Sequence, residues 1–285
     1  MGTLRARILN FLAATNRHSR YPDYEIGKAY TRSYRIIRLV VGFLGVLLPV
    51  VFIIVEASYL RGGVHVRGSL SAYYHTAMQD IFVGGLCVIG FLLLTYMAGE
   101  PRSSEFFASL IAGLAVLGVV FFPTSRTGLP VGAPACGSLP QPPGCSFVEQ
   151  TLGEHQTAVI HAVCAIVFIL SLAVMSFLFA ASEVLSKQQW HTGPGEPKPS
   201  MFRKPFLFWT HSACTLVILA AGVWAFAGVG FWELTRLYIG EVASILAFGL
   251  SWLLAGFFLA VPARTKPTQS TAEGPSPTTT AAVPG

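Results

Sequence analysis

Six stretches of the chain stay apolar, without alternation, for long enough to cross a hydrocarbon layer about 30 Å thick as helices. They run Ile36–Val55, Ile81–Ala98, Phe106–Phe122, Ala158–Ala181, Leu207–Ala227 and Ile239–Val261. Unbroken runs of this kind exclude a water-filled barrel, whose strands alternate apolar and polar positions. Pro49 falls inside the first run and removes one helical backbone donor, so a kink is expected there. Apolar sequence begins only at Ile36, which predicts an uncleaved anchor rather than a cleaved leader. The pattern predicts an all-α polytopic membrane protein, with six transmembrane helices in one bundle over residues 36–261.

The flanks carry different signals. In residues 1–35, the segment Thr3–Ala14 spaces Leu4, Ile8, Phe11 and Leu12 helically beside Arg5 and Arg7, as an interfacial amphipathic helix does. Residues 262–285 are rich in Thr, Pro, Ser and Ala and are expected to be disordered. Lys187–Lys204, with three prolines, is a linker between the fourth and fifth spans.

Composition agrees with this picture. Of 285 residues, 53% are hydrophobic and 11% charged, with a mean hydropathy of +0.60. Soluble domains carry about 25% charged residues, so a cytosolic globule is excluded. The net charge of +6 does not call for nucleic acid as a partner. Fifteen of the nineteen Lys and Arg fall on the side of the two termini and four on the other, which puts both termini in the cytoplasm. Attraction to anionic membrane lipid follows from the same asymmetry.

Cys87, Cys164 and Cys214 lie inside spans and read as small packing residues. Cys136 and Cys145 sit in the long outer loop Pro123–Glu154, in a compartment that permits disulfides. A bridge is expected there, contributing about 2–3 kcal/mol by chain entropy; two unpaired thiols are the alternative. A loop of this length often serves as a lid or binding element.

Polar residues gather at the outer ends of several helices. An ionisable residue inside a membrane costs free energy, which makes His161 the sharpest candidate. Its structural alternative is a neutral imidazole bonded to a carbonyl on a neighbouring helix. Glu154, seven residues earlier, shares a helical face with it. His211 lies at another depth and reads as a packing histidine. Asp80, at the entry to the second span, suits either a helix N-terminus or catalysis. With His75 and His161 it makes a candidate two-His, one-carboxylate metal set that would acidify a bound water. Ser71, Tyr74, Arg126 and Glu241 are candidate contacts to a ligand, Arg126 through its guanidinium fork. Glu241 is expected to pair with Arg126 or His161, or else to be an interfacial carboxylate.

Ser71-Ala-Tyr-Tyr-His-Thr76, Asp80-Ile-Phe-Val-Gly84, Phe122-Pro-Thr124, His161-Ala-Val-Cys-Ala165 and Glu241-x6-Phe248-Gly-Leu-Ser-Trp252 resemble a widespread, functionally uncharacterised group of six-pass bacterial membrane proteins. That resemblance implies a bacterial cytoplasmic membrane location. Ser71-x3-His75 followed by Asp80 is also similar to the Ser, His and Asp set of the alkaline ceramidase and progestin/adipoQ receptor superfamily. There the likeness implies zinc, with His75 as ligand, Asp80 as partner of the bound water and Ser71 as a hydrogen-bonding residue. The His-x3-His pair of that superfamily has its nearest counterpart here in His155-x5-His161.

The leading functional expectation is an outward-facing polar pocket that binds a lipid or small amphiphile. The first rival is a metal-dependent hydrolase of a lipid amide or ester. In it His75 and His161 hold zinc, Asp80 or Glu154 acts as general base and Arg126 holds a headgroup. A small carrier or channel is the third class, disfavoured because few polar residues lie at mid-membrane depth.

Overall fold

The computed structural model describes residues 24–60, 67–126, 129–130, 132–185, 205–228 and 235–259. The amphipathic segment Thr3–Ala14, the linker 187–204 and the tail 262–285 lie outside the described residues. Among those described, the regular structure is helical throughout: α1 (Tyr24–Leu60), a 3-10 turn (Ser71–His75), α2 (Gln79–Thr95), α3 (Ser104–Phe121), α4 (Phe147–Leu152), α5 (Glu154–Leu185), α6 (Pro205–Ala227) and α7 (Arg236–Phe257). All six apolar runs are helices. Five of them are long and apolar enough to cross a membrane, while α2 has 17 residues.

Local chemistry sets the helix ends. Ser103 opens α3 by accepting the Phe106 N–H at 3.1 Å, and Thr235 opens α7 through the Tyr238 N–H at 3.1 Å. The short α4 lay outside the sequence expectation, because its apolar content is small. Its signal is a capping box, in which Ser146 accepts from the Glu149 N–H and the Glu149 carboxylate accepts from the Ser146 N–H. α1 starts well before Ile36, since helical propensity carries it through a polar flank that hydropathy does not count. Pro49 is accommodated inside it.

The six long helices form a closed ring in the order α1, α2, α3, α5, α6, α7, with α7 packing back on α1 and also touching α5. Its interior holds Tyr73, Tyr96, Leu172, Ile218, Phe248 and Trp252, all buried. Large apolar side chains such as Phe91, Leu114, Leu216 and Phe226 point outward and are exposed. In water such a surface invites aggregation; against lipid it is the normal outer face of a bundle.

Two contacts hold the ring closed. At Gly42 a Cβ would sit 2.8 Å from the Leu253 backbone nitrogen, and at Gly249 one would sit 2.9 Å from the Gly42 carbonyl. Backbones of α1 and α7 therefore meet directly, as small residues permit. Gly85, Gly90, Gly113 and Gly118 also face neighbouring helices, as expected of them. Gly84 does not: nothing lies within 4 Å of its Cβ position.

The second contact is a buried polar knot where α1, the end of α2, α3 and α7 meet. Arg38 Nη2 lies 3.0 Å from Glu105 Oε2, Arg38 Nε donates to the Tyr96 hydroxyl at 2.7 Å, and Nη1 donates to the Ala255 carbonyl at 3.2 Å. The Tyr96 hydroxyl donates to the same Glu105 oxygen at 2.7 Å. The guanidinium also lies 4.6 Å from the Phe179 ring centre, within cation–π range. Nearby, His211 is buried edge-on against Phe179, with Nδ1 2.8 Å from the Ser251 hydroxyl, the packing histidine expected of it.

Candidate functional site

At the opposite end of the ring, the segment from Gly68 to Met78 folds inward as a roof. Its backbone is turned by local bonds, with the Ala72 N–H donating to Ser69 Oγ at 3.1 Å and Thr76 Oγ1 donating to the Tyr73 carbonyl at 2.8 Å. The 3-10 turn places two aromatic rings into the bundle. Tyr73 stacks on Phe52 at 5.1 Å and Tyr74 meets Phe82 edge-on at 6.2 Å. Burial pushes the Tyr74 phenol above its usual pKa.

Beneath this roof lies a cavity of about 70 Å³. Phe52, Phe82, Ile89, Phe168, Leu172 and Phe248 give it apolar walls, and Ser71 and Glu241 also line it. Glu241 is its one ionisable wall residue among the described residues. One oxygen of Glu241 accepts the Leu70 N–H at 2.6 Å, tying α7 to the roof. The pairing of Glu241 with Arg126 or His161 is thereby corrected: no ion pair among the described residues reaches it, and its partner is a main-chain donor that the tight turn leaves free. Thr235 adds a second tie, its hydroxyl donating to the Gly68 carbonyl.

Beside the roof, a polar cluster fastens α3, α4 and α5. Phe122 and Thr124 leave α3 in an extended segment, and their carbonyls each meet a histidine. Since a carbonyl only accepts, His75 donates from Nε2 to Thr124 at 2.6 Å and His161 from Nδ1 to Phe122 at 2.7 Å. His161 is therefore an imidazole bonded to a neighbouring helix's carbonyl. Its Nε2 is buried and has no hydrogen-bond partner among the described residues. Glu149, fully buried, places Oε1 3.7 Å from His75 Nε2.

Arg126 and Glu154 pair with each other. Arg126 Nη2 lies 3.0 Å from Glu154 Oε2, and the Arg126 N–H donates to Oε1 at 2.8 Å. The same carboxylate accepts the Cys136 N–H at 3.1 Å. Cys136 and Cys145 are joined by a disulfide. Glu154 thus staples the disulfide loop to the first turn of α5, where a carboxylate suits the helix dipole.

Zinc does not fit these residues. Asp80 is exposed in the first turn of α2, His75 commits Nε2 to the Thr124 carbonyl, and no three His, Cys, Asp or Glu converge as a ligand set among the described residues. Asp80 takes no part in the cluster's bonds among the described residues. Glu149 is the residue that sequence reasoning missed. Its signal was Ser146-x-x-Glu149 in the outer loop, a capping box without a long apolar run behind it.

Comparison with known protein families, with curated proteins and with solved structures gives no match.

Proposed function

We propose that this chain is a non-transporting membrane protein that holds a lipid fragment or small amphiphile in the roofed cavity. The observation that carries the reading is an apolar chamber of about 70 Å³ with a single carboxylate, Glu241, in its wall. That volume holds on the order of five water-sized groups, which favours a small amphiphile over a whole lipid. Most binding pockets share this design: apolar walls with a few placed polar groups.

The chain crosses the bacterial cytoplasmic membrane six times with both termini in the cytoplasm, so the roof and the disulfide loop face outward. The Lys and Arg asymmetry supports this orientation. Helix α2, about 26 Å long at 1.5 Å per residue, completes the sixth crossing with its polar flanks.

The reading is tested by extracting purified protein in nanodiscs and identifying retained small molecules by mass spectrometry. Wild-type protein is expected to carry an amphiphile near one per chain. Ala165→Phe, which fills the cavity from α5, is expected to lose it. Equal contents in wild type, Ala165→Phe and empty nanodiscs would overturn the reading.

A further inference from the structure

The cavity wall holds an acidic group, Glu241, that no cation among the described residues pairs with. Among the described residues, the ion pairs join Arg38 to Glu105, Arg126 to Glu154 and His75 to Glu149. None includes Glu241. Its bonding among the described residues is the Leu70 N–H at 2.6 Å, and apart from Ser71 the side chains lining the cavity with it are aromatic and aliphatic. A carboxylate facing apolar space is costly unless paired, and buried charges are as a rule paired.

We propose, building on the cavity-binding reading above, that the occupant is a short cationic amphiphile: a protonated primary amine on an apolar group of roughly four to six carbons, sized to the cavity. Its ammonium has three N–H donors. One meets the Glu241 carboxylate, and the Ser71 hydroxyl, also in the wall, accepts another. The alkyl group lies among Phe52, Phe82, Phe168 and Phe248. Charge decides the selectivity. A carboxylate-headed chain of equal length meets Glu241 with like charge, and an alcohol donates one hydrogen bond to it but brings no opposite charge.

The test compares n-pentylamine, n-pentanol and pentanoate by calorimetric titration at pH 7, where the amine is protonated. The full chain is used in phosphatidylcholine nanodiscs, with empty nanodiscs subtracted. Wild type is expected to bind the amine at least tenfold more tightly than the alcohol and to show no binding of pentanoate. Glu241→Gln is expected to lower amine affinity at least tenfold and alcohol affinity by a much smaller factor. Ala165→Phe is expected to abolish binding of both. Binding of alcohol and amine with equal affinity by wild type, or tighter binding of pentanoate, overturns the amine assignment and leaves the cavity reading standing. No binding of any of the three overturns the cavity reading itself. The wild-type comparison decides the matter even where Glu241→Gln fails to fold.

Discussion

Arg38 was counted in the sequence as one of many basic residues setting orientation, yet its side chain is largely buried and touches Glu105, Tyr96 and the Ala255 carbonyl. Nothing in a hydropathy pattern distinguishes a buried arginine from a snorkelling one, because the distinction lies in partners that are far away along the chain. Removing one member of such a pair strands the other, at about 3 kcal/mol or more, whereas replacing both with apolar side chains costs far less. Denaturant unfolding in detergent is expected to show large destabilisation in Arg38→Met and in Glu105→Leu. The double variant is expected to recover most of the loss, giving strong coupling in the cycle. Additive losses would mean that the contact contributes nothing as a pair. His161 was legible because an ionisable residue within a span demands a reason. Its partner was not, since a main-chain carbonyl at Phe122 leaves no mark on side-chain identity. The same holds for Glu241 and the Leu70 N–H.

Elements were read from the chain more faithfully than contacts. Every long apolar run is a helix because, in lipid, a spanning segment must satisfy its own backbone. Ends were misplaced where polar residues continue a helix, as in α1, and α4 was missed because six residues cannot display a period. Which face of each helix meets a neighbour was only partly legible. Gly84 and Gly85 are adjacent in sequence, yet a Cβ at Gly85 would meet Leu48 at 2.8 Å and one at Gly84 would meet nothing within 4 Å. Helix periodicity turns consecutive residues about 100° apart, so one faces the bundle and the other faces away. Gly249→Ala is accordingly expected to lower the unfolding midpoint in detergent, at a cost of about 1–3 kcal/mol from forced separation of α1 and α7. Gly84→Ala is expected to be neutral or to stabilise by up to about 1 kcal/mol through helix propensity. Equal effects at the two positions would contradict the packing assigned to them.

On the scale of the whole molecule, the two ends of the bundle differ in kind: one is closed by the Arg38 knot, the other by the roof and its disulfide loop. In the proposed orientation the second end faces outward. Alkaline phosphatase fused within the loop at Gly137 is expected to be active, and a fluorescent protein fused after Val261 is expected to fold and fluoresce. The opposite pattern would invert the topology. The cavity depends on six elements at once, and no single segment announces it. Ring closure by α1 and α7 also bears on how the protein is made. Gly45 of α1 and Glu241 of α7 stand in the same chamber wall, although nearly the whole membrane domain separates them in synthesis. Until the ribosome has delivered α7, α1 has no partner for its Gly42 surface, Arg38 lacks the Ala255 carbonyl, and the roof lacks its Glu241 tie. A nascent chain halted at α6 would hold an open crescent, with Arg38 on its free edge paired to Glu105 but short of the Ala255 carbonyl. Such an intermediate leaves bare the Gly42 face of α1, which only the last helix covers among the described residues.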